Sequence, residues 1–145
     1  MRFSGARARS SIAAVSALQQ HIICRPKPPF WRLTMNHQTY SACIEACNAC
    51  ATACNHCAVS CLQEADVKMM VKCIAMDMDC AQICALAAAA MARGSVHAKA
   101  ICALCADICQ SCGDECGQHD MAHCQQCAKA CHHCAQECRK MAAMA

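Results

Sequence analysis

Residues 43–61 read CIEACNACATACNHCAVSC, and the spacing of their cysteines decides the fold. Cys43, Cys47, Cys50, Cys54, Cys57 and Cys61 are separated by four, three, four, three and four residues. An α-helix turns every 3.6 residues, so alternating gaps of three and four keep one residue type on one face. That is the pattern of a coiled-coil seam, where Leu or Ile normally stands. Here every seam position is a thiol. The ladder returns at Cys102, Cys105, Cys109, Cys112 and Cys116, and again at Cys124, Cys127, Cys131, Cys134 and Cys138. A stretch between carries a sparser set, Cys73, Cys80 and Cys84, interleaved with Met69, Met70, Met76 and Met91.

The rest of the sequence agrees with helices packed on those seams. The chain has 145 residues, the size of one domain. After residue 34 Tyr40 is the only aromatic residue, and the leucines are Leu62, Leu86 and Leu104. A core must therefore be made from Cys, Ala, Met and a few Ile. Proline does not occur after Pro29, and alanine, the best helix former, is frequent. The pattern predicts helices over 36–63, 67–93, 96–115 and 121–142. Asp66, Ser95 and Asp120 serve as N-caps, and Gly94 ends the second helix. Short connections make this an all-α, antiparallel up-down-up-down four-helix bundle with a cysteine-lined core. Apolar stripes at Val67, Val71, Ile74, Met78 and at Ile101, Leu104, Ile108 lie off the cysteine face. They pack on a neighbouring helix or form a subunit interface.

Residues 1–34 read as a separate basic segment, with six basic groups and no acidic one. They are an over-long start preceding Met35, a degenerate export or targeting sequence, or a basic tail. Residues 35–145 carry seven basic and ten acidic groups, which gives no support for a nucleic-acid-binding bundle. No run of 18 apolar residues marks a membrane span.

Soft-metal chemistry explains a seam of thiols. Residues at i and i+4 have Cβ atoms ~5–6 Å apart on one helical face. A linear S–metal–S unit with bonds of roughly 2.3 Å spans about 4.6 Å. Each C-x-x-x-C can therefore hold a Cu(I) ion, a soft d10 cation that favours thiolates. Nineteen cysteines follow Met35. Buried thiolates must be neutralised, so loading should approach one Cu(I) per bundle cysteine. Without metal the neutral thiols pack as small hydrophobes and the bundle still folds. Zinc knuckles, iron–sulfur motifs and disulfide scaffolds place cysteines at turns and loops rather than inside unbroken helices. A zinc-binding or other soft-metal thiol protein remains an alternative. No carboxylate pair, nucleophile–base arrangement or phosphate loop suggests an enzyme.

Residues 38–141 resemble the four-helix-bundle copper storage proteins of bacteria, most closely their cytosolic branch. The segments carrying the resemblance are CIEACNACATACNHC, DVKMMVKC, MDMDCAQICALAAAAMARGS, AKAICALCADICQSCGDEC and HDMAHCQQCAKACHHCAQECRKM. The resemblance implies many Cu(I) ions along the bundle axis, a homotetramer, and one open end with Met or His near its mouth. It also implies a cytoplasmic protein; the exported branch carries a twin-arginine signal that this sequence lacks.

In an antiparallel bundle Met69, Met70, His119, Met121 and His123 gather at the end where Cys61, Cys116 and Cys124 meet, and this end is the preferred mouth. The other end gathers His37, Tyr40, Met91, His97, Met141 and Met144. His56, His132 and His133 belong to outer or flanking faces. Asp77 and Asp79 read as solvated or N-side charges, with the seam as the alternative place for Asp77. The sequence thus favours a copper store. A copper chaperone that docks on a partner, or a thiol redox protein, would need exposed cysteines rather than a buried seam.

Overall fold

The computed structural model describes the backbone of residues 30–144 and the side chains of residues 38–144. The expected extension up to residue 29, and the side chain of His37, lie outside the described residues. Four helices follow one another: α1 (Phe30–Cys61), α2 (Val67–Ala92), α3 (Ala98–Cys116) and α4 (Ala122–Ala142). The first runs from Phe30, six residues before the expected Asn36.

The helix ends are built differently from the expected caps. Asp66 is the N-cap of α2, but its side chain makes no capping bond. His97 caps α3, and Ser95 instead accepts the His97 backbone N–H on its hydroxyl oxygen at 3.2 Å. Met121, not Asp120, precedes α4. Gly94 does stop α2. It has φ +64°, and its N–H reaches the Met91 carbonyl at 3.1 Å while that of Ser95 reaches Ala90 at 2.9 Å. This pair of bonds is a Schellman motif, whose left-handed residue favours glycine.

Each helix packs on two neighbours, α1 on α2 and α4, and α3 on α2 and α4; the diagonal pairs meet only through side chains across the axis. The space on the axis belongs to side chains, and those are thiols. Cys43 is 4% exposed and the remaining bundle cysteines are wholly buried. Cysteine and alanine are small, so four helices can close around them without a large aliphatic core. The alternative register would turn Ile and Leu inward and the thiols outward, and the sustained three–four ladder excludes it. α3 continues unbroken through Gly113. A Cβ there would lie 2.6 Å from the His132 ring and 3.2 Å from the Cys131 Cβ, so glycine lets α4 come close.

The off-seam stripes divide. Ile74, Ile101 and Ile108 pack partly against the core, whereas Val71, Met78 and Leu104 stand exposed. Among the described residues, α2 is the one helix that by length and composition would pass for a membrane span. In the bundle its seam residues face the thiol core, and among them is a buried carboxylate, Asp77.

Candidate metal centre

The three–four spacing points the seam of every helix at the axis, and the thiols meet there in layers. At one end Cys61 lies 4.0 Å from Cys73 and 3.8 Å from Cys124, and Cys73 lies 3.6 Å from Cys116. In the middle Cys50, Cys54, Cys80 and Cys131 form one group of converging sulfurs, and Cys50, Cys80, Cys84 and Cys109 the next. Sulfurs bridge even the diagonals: Cys50 to Cys109 at 4.0 Å, Cys80 to Cys131 at 3.9 Å and Cys84 to Cys134 at 3.8 Å. Toward the other end come Cys47, Cys105, Cys134 and Cys138, then Cys43 with Cys138 at 3.6 Å and Cys102 beside them. All these cysteines are free thiols.

Within single helices the i,i+4 sulfurs are in van der Waals contact, at 3.9 Å for Cys50/Cys54 and Cys57/Cys61, 3.8 Å for Cys105/Cys109 and Cys127/Cys131, and 4.0 Å for Cys134/Cys138. These separations are shorter than the ~4.6 Å of a linear S–metal–S unit and close to the ~4.0 Å edge of a trigonal one with 2.3 Å bonds. Shared, bent coordination between neighbouring thiols therefore needs less rearrangement than isolated linear pairs.

Asp77 takes the seam, the second of the two places the sequence left open to it. It is wholly buried rather than solvated, whereas Asp79 is exposed as expected. Its Oδ1 accepts S–H bonds from Cys112 at 3.2 Å, and from Cys116 and Cys127 at 3.3 Å; Oδ2 faces Cys73 at 3.8 Å. Burial, followed by the charge of Cys127, pushes its carboxyl up to about 7. The signal was in the spacing. Cys73, Asp77, Cys80 and Cys84 continue the four–three–four ladder, with a carboxylate in a thiol position.

The two ends of the tube differ. At the first, the His123 ring is 14% exposed and turns Nδ1 to Cys124 at 3.4 Å, Cys57 at 3.6 Å and Cys61 at 3.9 Å. Its Nε2 lies 2.8 Å from Glu64, a contact no sequence pattern announced, since it joins the α1–α2 turn to the start of α4. His119 is mostly covered, 3.6 Å from Glu115, which also pairs with Lys72. Met121 packs partly against the core, Met69 is exposed, and Met70 is buried on the α2 seam. Burial pushes the Cys124 thiol up to about 11 and raises Cys61 as well, so without metal these thiols are neutral. Toward the opposite end Met91 and Met141 are each 1% exposed, and Ala87, Ala90 and Ala98 are buried in the same core. His56 and His133 are exposed, and His132 lies half-exposed beside Asp114 at 2.9 Å.

A helical tube lined from end to end by unpaired thiols, with a few oxygen and nitrogen donors among them, defines a multi-metal thiolate protein. Residues 36–143 match the family model described as copper storage protein, and the chain belongs to that family. It is 58% identical over 106 residues to the cysteine-rich protein YhjQ of Bacillus subtilis, covering 73% of this chain and 98% of the relative. Among solved structures, the Cu(I)-bound copper storage protein BsCsp3 of Bacillus subtilis shares 58% identity at a TM-score of 0.70, over 72% of this chain and 98% of that one. A cytosolic copper storage protein from Streptomyces lividans with five coppers shares 39% identity at a TM-score of 0.73, over 77% and 98%.

Proposed function

We propose that this chain stores and buffers Cu(I), holding many ions on the thiolates of its nineteen bundle cysteines. The observation that carries this reading is convergence. The thiols share one closed axis, with neighbouring sulfurs 3.4–4.0 Å apart and few competing donors. Each Cu(I) that replaces a thiol proton adds no net charge to the interior, so the tube fills toward one ion per thiolate. Asp77 offers one further anionic donor. The role is binding, not catalysis. A chaperone that hands single ions to a partner would need an exposed site, and burial of the whole seam disfavours it.

Ions enter at the histidine end. Met69, His119, Met121 and His123 offer weaker donors that pass Cu(I) inward to Cys61, Cys124 and Cys57, with Met70 on the seam behind them; the Met91–Met141 plug closes the other end. The protein works in the cytoplasm, and residues before the bundle form a basic extension. Two or more copies, four by family likeness, associate through the outer α2–α3 face. There a groove of about 650 Å³ is lined by Met76, Ile83, Leu86 and Ile108 together with Asp79, Gln82, Asp107 and Ser111. Native mass spectrometry before and after Cu(I) loading tests both points. The reading expects a homo-oligomer that gains many coppers per chain, and Leu86→Glu with Ile108→Lys should dissociate it. One or two coppers per chain would reject storage.

A further inference from the structure

We propose that the histidine end of the tube is also a zinc site, in which Cys57, Cys61, Cys124 and His123 bind one Zn(II) per chain when copper is scarce. This goes beyond copper storage, although the same donors serve copper when it is present. The argument is geometric. Four donor atoms have six edges, and all six are defined: Cys57–Cys61 3.9 Å, Cys57–Cys124 3.8 Å, Cys61–Cys124 3.8 Å, and His123 Nδ1 to Cys57, Cys61 and Cys124 at 3.6, 3.9 and 3.4 Å. A tetrahedral ion with bonds of ~2.3 Å to sulfur and ~2.0–2.1 Å to nitrogen requires edges of about 3.8 Å between sulfurs and about 3.6 Å from sulfur to nitrogen. The metal-free donors already stand on that tetrahedron. Cu(I) makes no such demand, since two or three thiolates satisfy it.

Glu64 completes the site. Its Oε1 accepts the Nε2–H of His123 at 2.8 Å, which leaves the Nδ1 lone pair facing the three sulfurs. A histidine ligand held by a carboxylate on its second nitrogen is the usual support of a zinc site. Charge selects this group over the all-sulfur groups deeper in the tube. Zn(II) on three thiolates and a neutral imidazole leaves one negative charge; on four thiolates it leaves two, in a closed interior. Binding releases the three thiol protons to solvent at the end of the tube, where His123 is 14% exposed. No electron is transferred.

The test uses the full chain, reduced and metal-free under anaerobic conditions. Zn(II) is titrated against a chromogenic chelator, and Co(II) serves as a spectroscopic stand-in. The expected result is one tightly held Zn(II) per chain and a Co(II) spectrum of tetrahedral type with three sulfurs and one nitrogen. H123A should change that spectrum, and E64A should weaken Zn(II) binding by about 10–100-fold. Circular dichroism checks that both variants remain helical. A wild-type protein that fails to bind Zn(II), or a Co(II) spectrum of four sulfurs unchanged by H123A, overturns the inference. Cu(I) titration of the same preparation separates the two readings: normal copper uptake without zinc binding rejects the zinc site and leaves copper storage standing.

Discussion

The two ends of the bundle are made from the same helices and close in opposite ways. At one, the chain ends its thiol seam with two histidines, His123 hydrogen-bonded to Glu64 and His119 3.6 Å from Glu115. At the other it ends the seam with Met91, Met141 and alanines, all buried. The two imidazoles are 14–16% exposed and carry donor nitrogens. Thioether and methyl groups fill space and exclude water. The seam between is nearly symmetrical, so the direction of the tube is set by what stands at its ends.

The largest effect that could sharpen this contrast is on stability. Met91→Ala or Met141→Ala removes a side chain that is 1% exposed and should destabilise the reduced, metal-free protein by about 2–5 kcal/mol in chemical denaturation. A cost below about 1 kcal/mol would show that the plug is loosely packed.

The histidine end should show a pH dependence of comparable size, because Asp77 lies near it. Its carboxyl is raised from 3.8 to about 7, so the folded metal-free protein binds the extra proton between those values. Stability from this group is therefore complete below pH ~4, falls as pH rises toward ~7, and levels off above. At ~1.4 kcal/mol per unit the total is about 4 kcal/mol at most. Asp77→Asn should flatten this slope; an unchanged slope would remove Asp77 as its source.

Next comes kinetics. His119→Ala with His123→Ala should slow the first phase of Cu(I) uptake by about tenfold, equivalent to ~1.4 kcal/mol, read by stopped-flow absorbance of the copper–thiolate bands. Met91→Ala should leave that phase unchanged. The reverse pattern would move the mouth to the methionine end. The smallest effect is expected at Met69, which is 69% exposed: Met69→Ala should change stability by no more than ~0.5 kcal/mol.

How much of this was legible in the sequence follows from what sets each feature. The thiol seam, the four helices and their antiparallel order depend on local periodicity, and the ladder from Cys43 to Cys61 states it. Asp77 was legible by position and ambiguous by type: its register pointed inward, whereas the cost of a carboxylate in a seam favoured solvent. Glu64 on His123 was not legible. It joins residues brought together by a turn and a helix start, and no spacing encodes that meeting. Of the expected caps, Asp66 and Gly94 hold their positions, while His97 and Met121 stand where Ser95 and Asp120 were expected. Backbone bonds close the tight turns between helices, so Asp66 makes no capping bond and Asp120 precedes the cap position rather than filling it.

The most direct test of the central claim is an anaerobic titration of the reduced, metal-free protein with Cu(I) in the presence of a strong chromogenic chelator. The account predicts that the protein withholds copper from the chelator until loading approaches one ion for each of its nineteen bundle cysteines. Saturation at one or two ions per chain would contradict it.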